Sequence, residues 1–227
     1  MDELWNKIYS TLIVEDRYLF FLEGLKNTLI LTFASFLLGT LLGVLFCAGR
    51  RSRNDFISGF CRVLTSFFME MPTLVLLMVL VYVVFGSVAV PVMVAVTIGL
   101  TLKAGAYLSQ IFLTALSTVA GGEMEAARTL GMTRWQAFRY VALPQTVVTA
   151  LPLYKNQFIA AMQETSVVGT LAIMDLTRAS SVVSSRTLDS LFGLILVSVM
   201  YFAIGGVMKG LFKLLMNKLQ PKGGDAA

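Results

Sequence analysis

Charge is missing from long stretches of this chain, and no other feature limits its fold so tightly. Residues 27–49 carry no formal charge, residues 190–208 carry none, and residues 63–102 carry only Glu70. A helix crosses a hydrocarbon core of ~30 Å in about 20 residues. The first two runs are therefore one crossing each, and the third is long enough for two. With 57% apolar and 14% charged residues, the 227-residue chain lies outside the range of soluble domains. It reads as an all-α integral membrane protein with one domain, 1–227.

Five spans are expected, at about 27–49, 64–85, 90–115, 145–165 and 190–212. Gly86-Ser87 before Pro91 divides the double-length run into a hairpin. The loops sort by charge. Arg50, Arg51, Arg53 and Arg62 face only Asp55, and Arg128, Arg134 and Arg139 fill the longest polar loop, at about 121–144. Lys209, Lys213, Lys218 and Lys222 follow the last span. Short cytoplasmic loops carry such an excess of Lys and Arg, which places the N-terminus outside and the C-terminus inside. Segment 1–26 is mixed in charge and shows no basic start leading into an apolar stretch, so no cleavable signal peptide is expected. Residues 222–227 read as a frayed terminus.

Several functions are excluded. The net charge of +5 follows loop orientation and is no sign of nucleic-acid binding. No histidine is present, which removes His-based acid–base catalysis and most zinc sites. Cys47 and Cys61 have no framework to staple and read as ordinary thiols. The phosphate loop G-x-x-x-x-G-K-[ST] is absent, and no nucleophile motif, cofactor motif or metal cluster marks an enzyme. No internal repeat supports an inverted-repeat transporter. One five-span bundle is small for enclosing a solute path, so a dimer is expected.

The polar loop is rich in local signals. Gly121-Gly122 end the preceding span, and Glu123 and Glu125 suit the first turn of a new helix, where carboxylates complement its dipole. Ala126 and Ala127 keep one face small for close approach. Gly131 can end this helix in the left-handed conformation. A second helix is expected from Thr133, its cap, to Val141, with Trp135 and Phe138 on one face and Leu143-Pro144 stopping it at the next span. Such a helix pair suits docking into a groove of a partner protein, and equally suits lying on lipid headgroups.

The loop also carries a family pattern: E-A-A at Glu125, Ala126 and Ala127, then Gly131, then Val141, Leu143 and Pro144. This resembles the signature loop of permease subunits of binding-protein-dependent ABC importers. The wording around it is most similar to the polar amino-acid branch, the histidine/glutamine/glutamate type. Gly24-Leu25-Lys26-Asn27-Thr28, Ala106-Tyr107, Thr165-Ser166 and Asp175-Leu176-Thr177-Arg178 add to the likeness, which covers nearly the whole chain. The resemblance implies a type I importer permease fold in a bacterial inner membrane, working without a cofactor of its own. It implies two ATPase subunits, an extracytoplasmic solute-binding protein and a second permease, either identical or a sister chain. Glu125, Ala126, Ala127, Gly131, Leu143 and Pro144 would then couple to the ATPase, whose cleft receives the loop in such permeases.

Ionisable groups within spans are costly and mark candidate solute paths. Glu70, Lys103, Lys155 and Glu164 are four such groups, and Thr165 and Ser166 adjoin the last. Their depths allow Glu70 to pair with Lys103 or Lys155. Pro72 and Pro152 can kink their spans and free carbonyls for a cavity. The functional reading lines a path for a zwitterionic amino acid; the alternative is structural pairing. Many relatives in the branch have Arg-Gly-Thr-Pro where this chain has Met69-Glu70-Met71-Pro72, and often Lys where it has Gln163. Two cations fewer disfavour an acidic cargo. Another small solute, or a channel or membrane-anchored interaction protein working without an ATPase, remain the other readings.

Overall fold

A computed structural model of the chain describes residues 9–119 and 121–219. Short turns at Tyr9–Ile13 and Val14–Asp16 lead into α1 (Tyr18–Arg50). Then come α2 (Asp55–Glu70), α3 (Thr73–Val84), α4 (Val92–Thr118), α5 (Gly121–Thr129), α6 (Arg134–Leu171), α7 (Leu176–Thr187) and α8 (Ser190–Leu219). Among the described residues there is no strand. Three helices, α1, α4 and α8, are each long and apolar enough to cross a membrane; counting the bent pairs α2–α3 and α6–α7 as one span each gives five. The expected frayed tail, 222–227, lies outside the described residues.

The helices depart from the expected spans in four places. α1 starts at Tyr18, well before residue 27, because Glu23 and Lys26 are exposed and a charge in water does not end a helix. The expected span 64–85 is two helices meeting at 109°. The residue before a proline is pushed out of the helical region, and Met71 sits at ψ 130°.

The third departure is in the loop. The helix expected to stop at Leu143-Pro144 runs on, so that α6 joins the loop to the far end of the bundle without interruption. Its Phe138–Ala142 segment is a wide π turn just before Pro144, the kind of local adjustment that accommodates a proline's missing N–H. Pro152 likewise sits inside the helix without ending it. Lastly, the connection 166–189 is mostly structured. α6 ends in a 3-10 segment, Thr165–Leu171, and α7 buries Leu176, Ala179, Ser180 and Val183 along one face.

The centre of the bundle is the α1–α4 pair, where small residues let backbones approach closely. A Cβ on Gly39 would lie 2.8 Å from that of Ala104, and one on Gly43 would lie 2.8 Å from that of Leu108. Leu77 of α3 is packed with Leu31, Val96, Leu100 and Val168, so the short helix beyond the break is anchored in the bundle. α7 is fastened through Phe21, Leu176, Ala179, Val183 and Val197.

Candidate functional site

The break between α2 and α3 leaves carbonyls without helical partners, and α4 supplies the donors. Lys103 Nζ donates to the Met71 carbonyl at 2.9 Å and to Thr73 Oγ1 at 2.7 Å. One turn further along α4, Tyr107 Oη donates to the Met69 carbonyl at 3.2 Å. The freed carbonyls, expected to face a cavity, are instead held by these two side chains.

Lys103 also meets a carboxylate, though not the expected one. Its Nζ lies 3.9 Å from Glu164 Oε1 near the end of the α-helical part of α6, with side chains 7% and 26% exposed. Glu70 ends α2 exposed, and among the described residues neither Glu70 nor Lys155 forms an ion pair. A Glu70–Lys pair at equal depth requires span two to be straight, and it is not. The break turns the chain directly after Glu70, and Lys103 is committed to the Met71 carbonyl and the Thr73 hydroxyl beyond it.

Beside Glu164, Thr165 is fully buried and its hydroxyl donates to the Met162 carbonyl at 2.7 Å. Ser166 is half-buried. Tyr201 of α8 brings a buried hydroxyl, without a hydrogen bond of ordinary geometry, among those of Thr28, Thr165 and Thr177. A small polar cluster therefore lies within the apolar bundle, one residue along the chain from Glu164.

At the end of the bundle away from the loop, the two segments 24–28 and 175–178 meet. A Cβ on Gly24 would lie 2.7 Å from the Asp175 carbonyl oxygen, so only glycine permits this contact. Asn27 Nδ2 donates to the Met174 carbonyl at 2.8 Å. Asp175, fully buried, accepts from the N–H groups of Thr177 and Arg178 at 3.2 and 2.9 Å and so caps α7. Arg178 Nη1 donates to the Gly169 carbonyl at 2.7 Å. Asn27 stood out only as part of the family-like segment 24–28, and Tyr201 not at all, because nothing local in an apolar span or a flank reveals a partner so far along the chain.

The loop follows its local signals closely. Gly131 has φ +89°, with Gly131 N–H donating to the Arg128 carbonyl and Met132 N–H to the Ala127 carbonyl, the paired bonds of a Schellman turn. Thr133 and Gln136 form a reciprocal capping box, and Trp135 stacks on Phe138 at 5.8 Å. Because α5 starts at Gly121, Glu123 lies in its first turn and Glu125 falls just beyond. The two alanines separate: Ala127 is 5% exposed and packs inward, while Ala126 faces out beside exposed Glu125. Leu130, missed in the sequence although it is the apolar residue beside Gly131, is 82% exposed. Gln145 Nε2 donates to the Glu123 carboxylate, which ties α5 to α6. Leu143 is half-buried and Pro144 exposed.

Comparison with known proteins matches this arrangement. The histidine/lysine/arginine/ornithine transport system permease protein HisM of Salmonella typhimurium (strain LT2) is 30% identical over 94% of each chain. The solved structure of an amino acid ABC transporter with histidines superposes with a TM-score of 0.81 at 29% identity, over 88% of this chain and 94% of that one. A chain of the MetNI methionine ABC transporter in inward-facing conformations has the same fold, with a TM-score of 0.74 at 18% identity over 91% and 99% of the two chains. The family model described as binding-protein-dependent transport system inner membrane component matches residues 28–220. With the type I importer permease fold and the loop geometry in agreement, the chain belongs to the family of binding-protein-dependent transport system inner membrane components.

Proposed function

We propose that the chain is the permease subunit of an ABC importer for polar amino acids, with its N-terminus outside and its C-terminus in the cytoplasm. It works with a second permease, identical or sister, two ATPase subunits and an extracytoplasmic binding protein. The α5 helix docks on the ATPase through Glu125, Ala126, Leu130 and the Gly131 bend. Ala127, Leu143 and Pro144 hold the docking helix and the root of α6 in place. The solute path runs past Glu164 and Ser166. Lys103 and Thr165 form its wall, and Glu70 and Lys155 line the route further from it.

The observation that carries this reading is the continuity of α6. One helix begins at the capped turn after Gly131 and reaches Glu164 about 46 Å away at 1.5 Å per residue, without a break. A displacement imposed at the loop is thereby delivered to the charged pair. A glutamate beside a lysine offers matched contacts for the ammonium and carboxylate of an amino acid.

The test is ATP hydrolysis by the reconstituted permease–ATPase complex across a panel of amino acids. Gly131→Val and Glu125→Lys should lose ATPase association or solute-stimulated hydrolysis while the permease still inserts. Glu164→Gln should keep the ATPase bound and change which amino acids stimulate it. A purified chain that captures no ATPase would overturn the reading, in favour of a channel or anchor.

A further inference from the structure

Away from the charged pair, the cytoplasmic half of the bundle holds an apolar cleft of about 540 Å³. Two long walls define it: α1 from Thr40 to its C-cap Arg51, and α6 from Leu143 to Tyr154. Phe112 and Leu116 of α4 lie between these walls, and Phe138 closes the end nearest the loop. Polar groups are few. At the deep end the Thr40 hydroxyl donates to the Phe36 carbonyl at 2.8 Å and accepts from Tyr154 Oη at 2.9 Å, so neither hydroxyl proton is free to face the cleft. At the other end stands Arg51, exposed, with Arg50 beside it on the α1 terminus. Among the described residues no carboxylate pairs with either arginine.

The dimensions select the occupant. Each wall runs twelve residues, from 40 to 51 and from 143 to 154, or ~16 Å of helix from end to end. That is about one leaflet of a hydrocarbon core ~30 Å thick. A cleft one leaflet deep, with no free donor at the bottom and a cation at the mouth, matches an acyl chain below an anionic headgroup. Basic pockets between membrane helices on the cytoplasmic side take such lipids.

We propose that this cleft binds one acyl chain of an anionic phospholipid of the cytoplasmic leaflet, its phosphate paired with Arg51. The lipid then fills the gap between α1 and the root of α6, beside the loop, where it braces the helix that the loop moves.

Cys47 lines the cleft and serves as the built-in probe. The full chain with Cys61→Ser, reconstituted into vesicles of phosphatidylcholine with or without phosphatidylglycerol, is treated with N-ethylmaleimide. Phosphatidylglycerol should slow modification of Cys47 several-fold. Arg51→Gln should erase that protection while leaving the rate in pure phosphatidylcholine unchanged. Inorganic phosphate added to phosphatidylcholine vesicles should not protect. Mass spectrometry of the gently solubilised chain should find retained phosphatidylglycerol, which Val147→Trp, a cleft-filling change, removes. Should that variant fail to insert, Arg51→Gln alone decides. Equal rates in both vesicles, protection that survives Arg51→Gln, protection by free phosphate, or retention of phosphatidylcholine instead would each overturn the proposal.

Discussion

The two bent spans, α2–α3 and α6–α7, interrupt the apolar bundle in opposite electrical senses. At the first, the chain bends by 109° and the groups left over are carbonyls, at Met69 and Met71. A cation and a hydroxyl from α4 fill them. At the second the bend is 47°, and the groups left over include the N–H donors that open α7. A carboxylate, Asp175, accepts two of them. The ends of a helix carry partial charges of opposite sign, so a Lys suits the first seam and an Asp the second. The seams also differ in reach. Lys103 comes from a separate helix and touches Glu164 as well, which links its seam to α6. Asp175 serves its own helix and leans on the α1 backbone at Gly24.

Six substitutions at five positions sharpen this contrast, each read as the unfolding midpoint of the detergent-solubilised chain. Lys103→Met should be the most damaging, at about 3 kcal/mol, since it orphans a buried carbonyl and leaves Glu164 uncompensated. Adding Glu164→Gln should recover part of the loss; no recovery would mean that Lys103 serves the carbonyls alone. Asp175→Ala should cost about 2 kcal/mol, and Asp175→Asn should regain most of it, because a neutral cap still accepts from the N–H groups. If Asn were as harmful as Ala, the second seam would depend on charge after all. Tyr107→Phe removes one donor from Met69 and should cost about 1 kcal/mol. Thr133→Ala, in the exposed loop and outside both seams, should cost ~0.5 kcal/mol. A larger effect there would show the loop to be bound to the bundle more tightly than its exposed surface suggests.

How far each region was legible follows from the range of its interactions. The loop's turn at Gly131, its Thr133 cap and the Trp135–Phe138 stack all depend on residues within a few positions, and each stands as read. The apolar runs gave the number of crossings because hydrocarbon thickness sets a length. Pairing of the intramembrane charges was out of reach, since the partner of Lys103 depends on where α2 breaks and on how α6 packs across from α4. α7 was hidden for another reason. Its serines and balanced charges resemble a connection, although Leu176, Ala179 and Val183 recur at helical spacing and mark its buried face.

The Gly39–Ala104 and Gly43–Leu108 contacts have a practical use for anyone measuring motion in this protein. Sliding α1 along α4 by a single residue, ~1.5 Å, would drive side chains into backbone already at contact distance. The pair therefore behaves as one rigid piece and can serve as a fiducial. Spin labels or fluorophores placed on its lipid-facing sides, at Leu37 and Leu41 for example, give a fixed frame. Distances from that frame to α3, α7 or the loop then register movement of those parts alone.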